Sequence, residues 1–540
     1  MGLSRWTFTI IISSAALIIG AASAGAQKCA PVEWASMGRL SGHAIDSVLV
    51  RTLPPFAGGS GNKLNSLHVR THEDVVRRQL LFEAGQPLDT LQVRESLRRL
   101  QRLAYLAEES VTVEECAGGG TSTARISVAT RDSWSLLPKI KFRSSSATTI
   151  GIEEANLLGT GRRVKAYLLS DAGRLGVGMS YSDPWLLNSR ASATIARDIY
   201  RDGQQWSTTI GMRETSIFDP WNAQLSASWA RRASPGGLDS VARQSAGFLL
   251  SRRIAASEFG ATNLLAGAEV ERTDVISGLG SPIVGPNLVH RSFAGIDAGL
   301  SRRSSQFQSI AWYAGNGVTT EIPVGFQGEA LLGAGRDLIT SSAMLHADMW
   351  AGKIWLPRSD LLMVADTWMY GYASRRGLMG ASGRVQFSSF KAASRGMWSA
   401  RISAERLADP DPDVRALASA DLTLRAIPQS FRLAESATAV SLERSVHLFP
   451  ITRNYALDGV LLGAMSTRWE PASTSAQRIR VAVIGAGIQL APAKPGRAAI
   501  RLDVGFPVAA SASIPHRAFF GVTITPWLES GRNRSGHKVP

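Results

Sequence analysis

The sequence predicts a mostly β protein: a transmembrane antiparallel β-barrel preceded by one small α+β domain. Three observations carry this reading. The chain opens with an export signal. Helical periodicity is confined to the residues before about 132. From Ser133 onward, segments of roughly ten residues alternate apolar with polar or tiny side chains, as strands do when one face meets lipid.

The start, "MGLSRWTFTIIISSAALIIGAASAGAQ", sets a short basic region ending at Arg5 before an apolar stretch. Small residues suited to cleavage near Ala26 follow, so residues 1–26 are expected to be a signal peptide. No later run reaches the roughly 18 apolar residues of a membrane helix. An exported chain then stays soluble or enters a membrane as a closed barrel, because only helices and barrels satisfy every backbone group in lipid. Cys29 and Cys116 meet oxidising surroundings after export. A bridge between them is expected; two unpaired buried thiols are the alternative. Lys28 occupies the small-residue position before Cys29, which argues against a lipid anchor. The net charge of +16 comes mostly from arginines scattered singly among strands. With an export signal, that fits a basic lumen and anionic lipid headgroups, not nucleic acid.

Between residues 40 and 132 the periods mix. "AIDSVLVRTL" reads as a strand. "THEDVVRRQLLFEAG" reads as a helix with Thr71 as N-cap, Asp74 completing a capping box and Gly85 past its end. "LDTLQVRESLRRLQRLAYL", capped by Asp89, brings Val93, Leu97, Leu100 and Ala104 to one face, with Arg94, Arg98 and Arg102 elsewhere. The strands "ESVTVEEC" and "ARISVATRD" close the unit, giving the order β-α-α-β-β of a small α+β module.

Beyond it, "EEANLLGTGRRV" has two glycines and two arginines at a turn, as a phosphate loop would. A phosphate loop needs Lys and a hydroxyl after the last glycine, and the dinucleotide fingerprint needs a third glycine opening a helix. Neither follows Gly161. "RRVKAYLLSD" instead alternates as a strand, so the stretch is a hairpin. "LGVGMSYSDP", "NLLAGAEVER", "MWSARISAERL" and "AIRLDVGFPV" alternate likewise. In the last, Leu502, Val504 and Phe506 are expected to face outward, and Arg501 and Asp503 inward. Trp134, Trp185, Trp206, Trp355 and Trp527 lie near segment ends, as an aromatic girdle requires. A soluble β-sandwich also alternates. About 400 uninterrupted residues with charges on one face of many strands favour the barrel.

Several stretches together resemble the BamA/TamA-like outer-membrane assembly superfamily. "VATRDSWSLLPKIKF", "GIEEANLLGTGRRVKAYL" and "YSDPWLLNSR" are similar to the start of its barrel. Its hairpin motif falls on Asn156, Leu158, Gly159, Thr160 and Gly161, and its early-strand motif on Tyr181, Asp183 and Pro184. "GAGIQLAPAKPGRAAIRLDVGFPV" resembles the penultimate strands, through Arg501, Asp503, Gly505 and Pro507, and "RAFFGVTITPW" the closing strand. The upstream module looks like a POTRA domain. The resemblance implies a periplasmic POTRA-like domain at 27–132, an outer-membrane barrel of about sixteen strands at 133–528, and a polar tail at 529–540. More candidate strands than sixteen can be marked, especially between Gln306 and Tyr372, so register there is open. The family also folds an Arg-Gly-aromatic loop into the barrel. The nearest match makes Arg384 the loop arginine and Glu405 its acidic partner, although Val385 and Gln386 replace the expected glycine. Pro526 interrupts the closing strand and "ESGRNRSGHKVP" follows it, both departures from the family pattern.

No catalytic constellation is present in the sequence. The eight histidines form no H-E-x-x-H pair, "GASGR" lacks the second glycine of a nucleophile elbow, and the cysteines lie too far apart for a metal knuckle. Neither a cofactor nor a metal is expected. The resemblance implies an outer-membrane protein aiding insertion or export of polypeptides. Its expected partners are outer-membrane lipid and lipopolysaccharide, unfolded clients and periplasmic accessory proteins. A single-POTRA secretion pore for one exported partner, and a porin-like barrel or surface antigen without assembly role, are the alternatives.

Overall fold

The computed structural model describes residues 28–526 except 35, 57–64, 67, 104, 119–120, 145–146, 172–173, 213–218, 234–238, 258, 278–290, 311–319, 376, 409–435, 453–454, 470–477, 493–497 and 512–516. The expected signal peptide, Trp527 and the polar tail lie outside the described residues. The chain divides into two compact units: residues 1–51, 80–97 and 110–129, and residues 52–79, 98–109 and 130–540.

A four-stranded sheet has the order β1-β3-β4-β2, with β1 (Lys28–Val32), β2 (Ile45–Leu53), β3 (Leu106–Gly118) and β4 (Thr121–Asp132). β1 was not legible in the sequence, because five residues around Pro31 carry no alternation. It occupies a sheet edge, where a proline costs no ladder bond inside the sheet. Its register sets Cys29 opposite Cys116, and a disulfide joins them.

The first helix, α1 (Glu73–Arg77), is shorter than its periodicity predicts and begins after His72, with no side-chain cap. Thr71 is not its N-cap. Its N–H donates to Asp132 Oδ2 (2.7 Å) and its hydroxyl accepts from Asn156, so tertiary partners take both groups. The second helix, α2 (Thr90–Gln101), starts as expected: the Leu91 N–H donates to Asp89 Oδ1 at 2.8 Å. Val93 and Leu100 are buried and Leu97 half-buried.

The rest is β. Among the described residues, twenty antiparallel strands, from β5 (Leu136–Ser144) to β26 (Phe519–Pro526), form one sheet whose order closes on itself. The expectation of about sixteen is corrected to twenty. Local alternation marks a strand but does not say which strands adjoin. β15 (Phe307–Ile310) and β16 (Thr320–Pro323) leave the barrel as a separate hairpin. β14 (Arg291–Ser304) therefore pairs with β17 (Gly325–Arg336), which settles the register left open after Gln306. Pro526 is the last described residue of the closing strand.

The two faces follow the alternation. On β21 (Gly396–Ala408), Ile402 is 56% exposed while Ser403 retains 3%. Ile402 pairs with Phe387 of β20 (Gly377–Ala393) and with Val440 of β22 (Ser436–Thr452). Val440 pairs in turn with Met465 of β23 (Tyr455–Trp469). Ile402, Val440 and Met465 are all exposed. A row of apolar side chains facing out suits hydrocarbon and not water. The tryptophans divide. Trp206, Trp221 and Trp398 are exposed on strands. Trp185 is buried, and Trp134 packs 6.2 Å from the His68 ring. Those two belong to turn packing, not to a girdle.

Candidate functional site

The hairpin motif is a joint. β6 (Ala147–Leu157) turns into β7 (Arg162–Asp171) through Gly159 and Gly161, whose φ values of 72° and 74° lie in the left-handed region. A Cβ on Gly159 would stand 2.3 Å from the Arg70 carbonyl oxygen, and one on Gly161 2.9 Å from the Tyr105 hydroxyl. Residues 70 and 105 thus close on the turn too tightly for any side chain. Asn156 holds the joint. Its Nδ2 donates to Thr71 Oγ1 (2.8 Å) and its Oδ1 accepts from the Gly161 N–H (2.6 Å). The His72 N–H donates to the Gly159 carbonyl at 3.0 Å.

Both arginines of the motif meet protein carboxylates. Arg163 Nε lies 3.3 Å from Glu153 across the hairpin, and Arg162 Nε 3.0 Å from Asp183. Asp183 belongs to the early-strand motif, where it also accepts from the Tyr181 hydroxyl (3.4 Å) and from the Trp185 N–H (2.9 Å) just past Pro184. The two motifs are one network. Asn156→Ala leaves the Thr71 hydroxyl and the Gly161 N–H without this partner, at about 1–3 kcal/mol for each buried group. A lowered urea midpoint in lipid checks this; an unchanged midpoint shows that the joint is not held by Asn156.

The inner wall is charged. On β25 (Ala498–Ala510), Leu502 is 45% exposed and Asp503 3%, with Phe506 also exposed. Arg501 donates to Asp503 Oδ1 (2.7 Å) and to Glu443 Oε2 (2.6 Å) of β22. Pro507 sits beside a register shift opposite Val483, and Gly505 pairs with Gly485. Arg384 is not on an inward loop. It lies within β20, directly opposite Glu405 of β21 on the inward face. "GRVQFSSF" keeps strand alternation, which a Gly-aromatic break would have ended. Arg384 donates to Gln386, whose Nε2 donates to Asp366 Oδ2 at 3.3 Å. A double-mutant cycle on Arg384→Ala and Glu405→Ala is expected to give about 0.2–1 kcal/mol of coupling, the range of cross-strand charge pairs. Additivity means that the guanidinium serves Gln386 instead.

A further element lines the wall. Ile310, Ile322 and Val324, from the β15–β16 hairpin and its return, form one buried cluster with Ile354, Leu362 and Met397. Leu362 shares the inward face of β19 (Leu361–Ser374), as Ile354 does on β18 (Ala343–Arg358). Arg98 holds the hairpin: its Nε lies 2.8 Å from Glu321 and its guanidinium 3.8 Å from the Phe307 ring centre. Truncating Ile322 to Ala costs about 2–5 kcal/mol of packing there and is expected to raise ion conductance of the reconstituted barrel. Unchanged conductance means that the hairpin does not restrict the lumen.

No family model matches the chain, and no curated protein matches it. Solved structures do. CdiB from Escherichia coli is 11% identical with a TM-score of 0.44, the match covering 92% of this chain and 80% of that one. BamA from Haemophilus ducreyi lacking POTRA domains 1–3 is 13% identical at a TM-score of 0.33, over 88% and 85%. The siderophore receptor PirA from Acinetobacter baumannii is 8% identical at 0.32, over 74% and 67%. At these values the likenesses carry no inference about function.

Sequence reasoning missed the lumen hairpin and a second inward cluster. There Arg291 Nη2 lies 2.9 Å from Glu271 Oε1, while the Tyr370 and Tyr372 hydroxyls donate to Glu271 Oε2 at 3.0 and 2.9 Å. The available signal was the polar face of "NLLAGAEVER", which carries Glu269 and Glu271.

Proposed function

We propose that this chain is an outer-membrane barrel that aids insertion or export of other polypeptides by opening between β26 and β5, with its N-terminal α+β part in the periplasm. The observation that carries the reading is the shortness of the strands described at that seam. Among the described residues β26 has 8 and β5 has 9, the two shortest described strands of the barrel, where β12 (Asp239–Ser257) has 19. Pro526, the last described residue of β26, lacks a ladder donor. A closed barrel has no free edge; one whose shortest strands meet yields its edge there first and offers it to an incoming strand by β-augmentation. The motif resemblance supports the same reading, and lipid, lipopolysaccharide and unfolded clients follow from it as partners. No catalysis is assigned.

A secretion pore for one partner would instead use the lumen, and the β15–β16 hairpin would have to leave the wall. Two experiments separate these readings from a porin-like barrel. Depleting the protein should lower the abundance of other outer-membrane barrels; an unchanged outer-membrane proteome removes the assembly role. Cysteine pairs scanned between β5 and β26 should block activity when bridged and restore it when reduced. Full activity with the seam locked overturns the lateral route.

A further inference from the structure

We propose that Glu269, Asp297 and His346 form a binding site for a first-row divalent cation of the Zn2+ kind in the inner wall of the barrel. No spacing in the sequence points to a metal, since the three residues come from three separate strands: β13 (Gly260–Ser277), β14 and β18. Strand pairing assembles them. A single cross-strand row runs Gly267, Asp297, Gly333, His346, Tyr372, and Glu269 stands two residues along β13 on the same face.

Asp297 and His346 are separated by a whole strand, and adjacent strands lie about 4.8 Å apart. They meet only because the residue between them is Gly333. A Cβ on Gly333 would stand 2.1 Å from Asp297 Oδ1, so the carboxylate fills the space a side chain would take. Glu269 pairs with another glycine, Gly295.

His346 turns Nδ1 toward both acids: 3.0 Å to Asp297 Oδ1 and 3.4 Å to Glu269 Oε1. The three donor atoms all lie within 4.8 Å of one another. Metal–ligand bonds of zinc in tetrahedral geometry place neighbouring donors about 3.3 Å apart, close to the 3.0 and 3.4 Å between His346 Nδ1 and the two carboxylates. A proton on Nδ1 points at one carboxylate oxygen; a cation between the three atoms serves both. Imidazole with two carboxylates favours a first-row ion over Mg2+ or Ca2+, which take oxygen ligands alone. The site is sheltered: the His346 side chain is 1% exposed, and the Tyr372 ring stacks on it at 4.9 Å. The Tyr372 hydroxyl, which donates to Glu271 Oε2, also lies 3.3 Å from Glu269 Oε1, so its one proton is shared between the two carboxylates beside the donor set.

The test uses the full-length, tag-free barrel, stripped with a chelator and titrated with Zn2+. One equivalent per chain is expected. Replacing it with Co2+ should give the strong visible absorption of a four-coordinate N/O site, which Zn2+ displaces. Asp297→Asn and His346→Gln, in barrels that keep their folded mobility on unboiled gels, should each weaken binding by more than the roughly 10–100-fold that losing an outer-shell partner costs. Gly333→Ala should weaken it too, because its methyl displaces the Asp297 carboxylate, whereas Glu321→Gln should not. Substoichiometric Zn2+ with no Co2+ absorption in the unaltered protein overturns the site and leaves an ion-paired network. Unchanged affinity in folded Asp297→Asn and His346→Gln barrels places the metal elsewhere and overturns it equally.

Discussion

Replacing Ile402 by Arg is expected to lower the stability of the barrel in lipid by about 2–4 kcal/mol. Ile402 sits at the middle of β21 and is exposed between Phe387 and Val440 in the cross-strand row. A guanidinium there enters the hydrocarbon layer with no protein partner on that face and reaches headgroups only by snorkelling. Ser399→Arg supplies the contrast. Ser399 lies three residues away on the opposite face, with Glu443 beside it in the ladder. An arginine there points inward toward a carboxylate, and its cost is expected to be within about 0.5 kcal/mol, as for a substitution away from packed features. Reversible urea unfolding in bilayers measures both. Equal small costs mean that the Ile402 face does not meet lipid, and the transmembrane reading falls with it. Cysteines at Leu502 and Phe506 should likewise react with lipid-soluble reagents, and those at Arg501 and Asp503 should not.

The second large effect is expected at the N-terminal sheet. The Cys29–Cys116 bridge spans a separation of 87 residues, so its removal frees a long loop in the unfolded chain. Loop-closure entropy puts the loss at about 4–5 kcal/mol for a loop of this length. It falls on β1 in particular, a five-residue edge strand held otherwise by its pairing with β3. Cys29→Ser with Cys116→Ser in the full-length protein should therefore release residues 28–32 first. Hydrogen exchange reads the loss as deprotection of β1 with the barrel unchanged. Full protection of β1 in the double variant means that strand pairing alone suffices.

The sequence by itself determined what depends on near neighbours. A period of two marked the outward and inward residues of the strands, because successive side chains leave a strand on opposite faces whatever it pairs with. The same logic gave α2, whose face spacing and Asp89 cap are local. It also gave the hairpin at Gly159 and Gly161, where only glycine tolerates the positive φ and the approach of Arg70 and Tyr105. Thr71 was misread because a capping residue and a buried hydrogen-bonding residue look alike in sequence; Asn156 and Asp132, 85 and 61 residues away, decided its role. Arg384 was placed on a loop by resemblance, while its own neighbours Val385 and Phe387 continued a strand. Only the tertiary structure decided the number of strands, the hairpin lying on the inner wall, and the meeting of Glu269, Asp297 and His346. Asp297 and His346 stand 49 residues apart, and their contact requires β15 and β16 to leave the barrel so that Gly333 falls between them. Register across a sheet is a property of pairs of strands, and no single strand carries it.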